Sequence, residues 1–146
     1  MPLIRPLKDA PASTASRAGE RSTIDVIIAM STELERMAWG IIIERQADMR
    51  LIAKVASCKE ALALLKNHRH AITLVDESML EERQCEALQH YAQKASSSCF
   101  ILVTAHDPDQ SLKQTRYAFA DAYLLKGVSA AELLRAIRST ASGEAF

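Results

Sequence analysis

Four side chains of different chemical types lie at or near the ends of short apolar runs: Asp76, Thr104, Tyr123 and Lys126. A carboxylate such as Asp76 can attack a phosphoryl donor and form an acyl phosphate. A lysine ammonium would neutralise the added negative charge, and a threonine hydroxyl would hydrogen-bond a phosphoryl oxygen. The same residue types also suit a plain ion pair between Asp76 and Lys126 that satisfies two strand-end charges. The residue types and their spacing leave phosphoryl chemistry and a structural ion pair both open.

Alternating apolar runs and amphipathic segments predict how these residues are positioned. The predicted strands are Ile24–Met30, Arg50–Val55, Ala71–Asp76, Cys99–Ala105 and Ala122–Leu125. The predicted helices are Glu33–Gln46, Cys58–Lys66, Glu82–Lys94, Asp109–Tyr117 and Ala130–Ala141. Strands that are apolar throughout indicate a parallel sheet covered on both faces. Right-handed crossovers then give an α/β fold, a doubly wound five-stranded parallel sheet flanked by five helices, with a crevice at the carboxyl ends of the strands.

Composition bounds the class of protein. The 146 residues are 49% hydrophobic, and 18 Lys and Arg balance 18 Asp and Glu. A formal net charge of zero argues against a chain that coats nucleic acid or anionic lipid. The longest apolar runs fall far short of the about 20 residues that span a membrane, and no leader-like apolar segment opens the chain. Three widely spaced cysteines, in no metal-ligand or CxxC pattern, indicate reduced thiols in a cytoplasmic protein.

The first 23 residues differ in composition from the rest of the chain. They are rich in small and polar residues and show no repeating apolar face. Such a segment cannot bury enough surface to offset the entropy lost on ordering, so we expect a disordered tail. The predicted domain organisation is therefore a disordered tail over residues 1–23 and one folded domain over residues 24–143.

Four segments, taken in order, carry a family resemblance. They are Leu74–Met79, Ile101–Ala105, Ala120–Lys126 and Ser129–Ile137. Residues 24–143 resemble the receiver domain of NarL/LuxR-type response regulators of bacterial two-component systems, which have a flavodoxin-like fold. The resemblance implies that Asp76 is the phospho-acceptor, Thr104 the switch hydroxyl, Tyr123 the switch aromatic and Lys126 the site lysine. It also implies a signalling role rather than an enzymatic one.

The resemblance also implies partners. Receivers accept phosphoryl groups from histidine kinases. They contact other proteins through the face built from the fourth helix, fifth strand and fifth helix. We expect a protein partner or self-association through that face or through the first helix, and no membrane contact. NarL/LuxR-type regulators bind DNA through a further domain, which is absent from these 146 residues.

The sequence departs from the family at the metal site. Family members carry an adjacent acidic pair after the first strand that holds Mg²⁺ beside the acceptor, and Met30 and Ser31 occupy those positions. Mg²⁺ requires oxygen ligands, for which a thioether is a poor substitute. Glu33 and Glu77 are weak candidates to replace the missing acids. We therefore expect no resident metal and no cofactor, with Mg²⁺ binding only if one of these glutamates restores the site.

Further departures cluster near the same crevice. Residues that replace family Pro or Gly positions are Leu80, Glu81, Gln84, Phe119 and Ala122. A Cβ at a position that needs a positive φ costs about 1 kcal/mol, so we expect rebuilt loops. The favoured interpretation is an atypical signalling receiver that binds a protein partner without Mg²⁺-dependent phosphorylation. The alternatives are a phosphorylatable receiver of a LuxR-type transcriptional regulator, with Asp76 as acceptor, and a small flavodoxin-like cofactor-binding protein.

Overall fold

The computed structural model describes residues 23–95 and 97–143, which form a five-stranded parallel sheet. The strands are β1 (Ile24–Ala29), β2 (Met49–Val55), β3 (Ile72–Asp76), β4 (Cys99–Thr104) and β5 (Ala122–Leu125). Their order is β2-β1-β3-β4-β5, so β3 is central and every described neighbour pair is parallel. The doubly wound sheet is confirmed. The predicted disorder of residues 1–23 concerns a segment that, Thr23 apart, lies outside the described residues.

Five helices connect and flank the strands. They are α1 (Glu33–Glu44), α2 (Cys58–Leu65), α3 (Glu82–Lys94), α4 (Gln110–Gln114) and α5 (Ala130–Ser142), with a short 3₁₀ helix at Glu77–Met79. The hydroxyls of Thr32, Ser57 and Ser129 accept hydrogen bonds from backbone N–H groups of the first turns of α1, α2 and α5, which fixes where these helices begin. None of the helices in the described parts of the chain is long and apolar enough to cross a membrane.

The core consists of two layers, one on each face of the sheet. Successive side chains of a strand point to opposite faces, so Val26 and Ile28 join one layer while Ile27 and Ala29 join the other. All four are fully buried. Burying an aliphatic side chain of this size contributes about 1.5–3 kcal/mol. The apolar strands therefore supply both the hydrophobic stabilisation and the rigid edge on which the polar residues sit.

Helix α4 is shorter than the sequence indicates. A helix over Asp109–Tyr117 is wrong beyond Gln114, because the chain then turns inward and the N–H of Tyr117 donates to the Leu112 carbonyl. The turn buries the rings of Tyr117 and Phe119. Phe119 packs edge-on against Phe100 with centroids 5.8 Å apart. Burial of the aromatic rings is favoured over continuation of the helix here, and a large ring fills space at a position where the resemblance implies glycine.

The three cysteines are unpaired thiols, as predicted. Cys58 and Cys85 are buried and Cys99 is partly buried. Burial raises the pKa of the Cys58 thiol to about 11, so this thiol stays protonated at neutral pH. The cysteines therefore act as small apolar side chains of the core.

Candidate functional site

Asp76 ends the central strand β3, and its side chain is fully buried. Ser31, just beyond β1, donates to Asp76 Oδ2 from its backbone nitrogen at 3.2 Å and from its hydroxyl at 2.9 Å. Lys126, just beyond β5, donates to the same oxygen from its ammonium at 3.1 Å. The backbone N–H of Ser78 donates to Oδ1 at 3.0 Å. Three of these hydrogen bonds thus converge on one carboxylate oxygen, which fixes the carboxylate from both sides of the crevice.

These contacts control the charge of Asp76. Burial is the largest single influence and by itself raises the pKa of the carboxyl group. Hydrogen bonds from the N–H groups of Ser78 and Ser31, together with the Lys126 ammonium, outweigh burial and hold the pKa of Asp76 below its ordinary value. Asp76 is therefore an ionised carboxylate at neutral pH.

The lowered pKa makes a prediction for acid stability. A carboxyl group whose folded pKa lies below its unfolded value of about 3.9 stabilises the fold above that value, and the contribution is lost as the pH falls through the folded pKa. The difference in unfolding free energy between wild type and Asp76→Asn should therefore shift against the wild type as the pH falls below about 4. Urea unfolding of both proteins at a series of pH values checks this. A difference that is constant down to pH about 2 would contradict it.

Lys126 bridges two carboxylates. Its ammonium lies 3.1 Å from Asp76 Oδ2 and 3.6 Å from Glu35 Oε1. The lysine is held in place because its backbone N–H donates to the Thr104 carbonyl at 2.9 Å. With Glu35 included, two carboxylates share one ammonium, and the formal charge of this group is −1. The ion pair that the sequence left as one of two interpretations is present, and it includes a second acid.

Met30 and Ser31 differ in their relation to the crevice. Met30 is fully buried and packs in one of the two core layers, so its thioether is not a group of the crevice. Its carbonyl accepts a hydrogen bond from the Arg36 guanidinium at 2.6 Å. Ser31 is exposed and contributes a hydroxyl and an N–H group to Asp76. Where the resemblance implies two carboxylates, the chain therefore presents one hydroxyl and one N–H.

The two glutamates proposed as replacement acids lie elsewhere. Glu77 Oε2 accepts a hydrogen bond from the Tyr117 hydroxyl at 2.8 Å. Burial, with the Glu77 carboxylate beside it, raises the pKa of Tyr117 to about 12, so the phenol stays a donor. Glu33 is exposed in the first turn of α1, and no hydrogen bond or ion pair joins its side chain to the described residues. Neither glutamate contacts the ammonium that neutralises Asp76.

Thr104 and Tyr123 lie on the neighbouring strands, as expected. Thr104 ends β4, and its hydroxyl is buried without a hydrogen-bond partner among the described residues. Tyr123 lies in β5, and its hydroxyl donates to the Tyr117 carbonyl at 3.3 Å. The Lys113 ammonium sits 4.8 Å from the centre of the Tyr123 ring, within the range of a cation–π contact. The Thr104 hydroxyl therefore lies at the edge of the crevice without a hydrogen-bond partner among the described residues. The Tyr123 ring is in contact with α4 through Lys113.

Three contacts in and around the crevice were not predicted from the sequence. Glu35 accepts from the Thr32 hydroxyl at 2.7 Å in a capping arrangement, and the Thr-x-x-Glu spacing could have revealed it. The Ser78 contact is a local turn in which an Asp side chain binds the N–H two residues later, which is a common Asx turn. The partnership of Tyr117 with Glu77 spans 40 positions and has no local sequence signal.

Comparisons with known proteins agree with this architecture. A family model described as the response regulator receiver domain matches residues 26–138. The response regulator protein VraR of Staphylococcus aureus is 26% identical over 122 residues, covering 84% of this chain and 58% of that protein. The chain thus spans a little over half the length of the VraR protein it matches.

Solved structures share the fold. The receiver domain of the response regulator NarL from Mycobacterium tuberculosis superposes with a TM-score of 0.72 at 20% identity, covering 84% of this chain and 99% of that one. A LuxR-family two-component response regulator from Aurantimonas superposes with a TM-score of 0.73 at 22% identity, covering 85% and 89%. The family match spans most of the chain, and the strand order and crevice agree with it. The chain shares its fold with receiver domains of NarL and LuxR-family regulators and belongs to the response regulator receiver domain family.

Proposed function

We propose that this receiver acts by binding a protein partner and does not run a Mg²⁺-dependent phosphorylation cycle. The observation that carries the proposal is the occupancy of Asp76 Oδ2, which accepts two hydrogen bonds from Ser31 and one from Lys126. Mg²⁺ needs several oxygen ligands in near-octahedral geometry at about 2.0–2.1 Å. Within the described residues, no group of three or more His, Cys, Asp or Glu side chains is placed to hold a metal ion. The residues present do not fit Mg²⁺.

The missing acids have a large kinetic consequence. In phosphoryl transfer, negative charge is spread over the oxygens of the transferring group, and charge stabilisation by a metal contributes several kcal/mol. Each 1.36 kcal/mol corresponds to about tenfold in rate. Phosphorylation of Asp76 should therefore be slower by about a thousandfold or more than in a receiver with an intact acidic pair.

Some features of the same crevice also fit the second candidate function, a phosphorylatable receiver. Asp76 is ionised, Lys126 lies beside it, and the Thr104 hydroxyl is buried without a partner, as a hydroxyl awaiting a phosphoryl oxygen would be. A metal would then need Glu33 or Glu77, or else Glu35, whose carboxylate lies 3.6 Å from the Lys126 ammonium. This candidate is weaker because Glu77 is bound to a buried tyrosine hydroxyl.

The partners belong to the proposal as well. A histidine kinase or another signalling protein would contact the face formed by α4, β5 and α5, or the exposed side of α1. On that side Leu34, Met37 and Ile41 are 75%, 49% and 48% exposed. Control of transcription would act through a DNA-binding domain outside these 146 residues, and a cytoplasmic location suits the unpaired thiols.

Mass spectrometry after incubation with a small acyl phosphate and Mg²⁺ tests the proposal. We expect the wild-type mass to stay unchanged under conditions in which a receiver with an intact acidic pair gains one phosphoryl group. Asp76→Asn is the matched control for modification elsewhere. A rapid gain of one phosphoryl group by wild type that the control lacks would establish the second candidate instead.

A further inference from the structure

The groove between α2 and α3 is an apolar channel on the opposite face of the sheet from α1 and α5. It encloses about 650 Å³. Its apolar lining includes Leu62, Ala63, Met79 and Ala87. The two alanines keep the channel open because they lack long side chains, and the methionine adapts to the shape of what packs against it. A channel of this kind suits a helix that inserts an apolar stripe.

The rim of the groove is cationic. Lys59, Lys66 and Arg83 line it, and an adjoining hollow of about 460 Å³ shares Lys66 and adds Arg69 and Lys94. No acidic residue is among the described residues that line either cavity. None of the five cationic side chains has an ion-pair partner within the described residues. In a chain of zero net charge, three cations on the groove and two more on the adjoining hollow, none of them in an ion pair within the described residues, are a marked local asymmetry.

The acids of the same helices are not among the described residues that line the groove. Glu82 and Glu86 of α3 line a separate cavity together with Arg116. Glu60 of α2 accepts hydrogen bonds from the Ser57 hydroxyl and the Ala56 N–H at the start of its own helix. Among the described residues, three cationic side chains and no carboxylate therefore line the groove itself, and the nearby Glu60 carboxylate is bound to Ala56 and Ser57 at one end of it.

We propose that the groove between α2 and α3 is the docking site for an acidic amphipathic helix of a partner protein. Charge complementarity selects the acidic flanks and the apolar lining selects the amphipathic stripe. Residues 1–22 of this chain are a poor occupant, because they carry four cationic and two acidic residues. Nucleic acid fits less well because its phosphates would leave the apolar lining unused. The inference deepens the proposed role in protein binding and rests on it.

Fluorescence anisotropy with two synthetic helical peptides tests the docking site. Both have leucines at helical spacing, flanked by glutamates in one peptide and by lysines in the other. We expect the glutamate peptide alone to bind, and the double variant Lys59→Glu/Arg83→Glu to weaken its binding at least about tenfold. The matched control is Arg45→Glu/Lys54→Glu, which reverses two exposed cations, one just after α1 and one in β2, and should leave binding unchanged. Equal circular dichroism and unfolding transitions establish that both double variants are folded.

Three results would overturn the docking site. They are equal binding of the two peptides, binding of the glutamate peptide that survives reversal of Lys59 and Arg83, and failure of the glutamate peptide to bind while a duplex oligonucleotide does. No Mg²⁺ or phosphoryl donor is present in these measurements. Their failure is therefore separate from a failure of the phosphorylation test.

Discussion

Replacing Lys126 with methionine should lower the free energy of unfolding by about 1–3 kcal/mol. The change leaves the Asp76 carboxylate fully buried without its cation. Removing one partner of a fully buried ion pair costs about 3–5 kcal/mol. The expected cost is smaller here because the Lys126 side chain is 28% exposed and because Ser31 and Ser78 still donate to the carboxylate.

Lys113→Met is a matched control for this loss. The Lys113 side chain is 25% exposed, a fraction similar to the 28% of Lys126. Its partner Asp107, however, is 67% exposed rather than buried. Surface pairs of this kind are worth about 0–1 kcal/mol, so the control should change stability far less. The control also loses the cation–π contact with Tyr123, so a smaller loss of stability in it points to the burial of the carboxylate as the cause of the larger effect.

Urea unfolding at neutral pH measures both variants. The double variant Lys126→Met/Asp76→Asn should recover part of the loss, because the amide that replaces the carboxylate carries no charge. Equal stability of wild type and Lys126→Met would show that water, rather than the lysine, compensates the charge of Asp76.

Restoring one acid should give the site an affinity for Mg²⁺. Ser31→Asp places a carboxylate next to Asp76, where the wild type has a hydroxyl donor. We expect the affinity for Mg²⁺ to rise at least about tenfold, which is about 1.4 kcal/mol of binding free energy. Without the ion, repulsion between the two carboxylates should make the variant less stable than wild type.

Thermal unfolding with and without Mg²⁺ measures this gain. A ligand that binds only the folded state raises stability by RT ln(1 + [L]/Kd), so the melting temperature of Ser31→Asp should rise with Mg²⁺. Ser31→Asn has nearly the same shape without the charge and should not respond. If Mg²⁺ leaves the melting temperature of Ser31→Asp unchanged, the loss of the acidic residues is not the only reason why the site does not bind Mg²⁺.

The fold could be predicted from sequence because its signals are local. Strands such as Ile24–Ala29 are apolar throughout, and Ser57 and Ser129 mark helix starts by capping. The end of α4 could not be predicted, since it depends on burying Tyr117 and Phe119 against distant residues. A local pattern carries no information about which distant residues an aromatic ring will meet.

The part of the site that follows from the strand order could likewise be predicted from the sequence. Parallel strands end at one edge of the sheet, so Asp76, Thr104 and Lys126 had to meet there once the strands were assigned. The contact between Lys126 and Glu35 could not be predicted in this way, because it depends on the rotation of α1 against the sheet. Glu77 shows the same limit: its position after Asp76 is evident, yet the tyrosine that holds it lies 40 residues away.

Isothermal titration of the wild-type domain with Mg²⁺ tests the central claim most directly. A crevice in which Asp76 Oδ2 already accepts hydrogen bonds from Ser31 and Lys126 should show no saturable heat up to about 10 mM Mg²⁺, with Ser31→Asp as the positive control. Stoichiometric binding by wild type at about 1 mM or below, abolished by Asp76→Asn, would contradict the account.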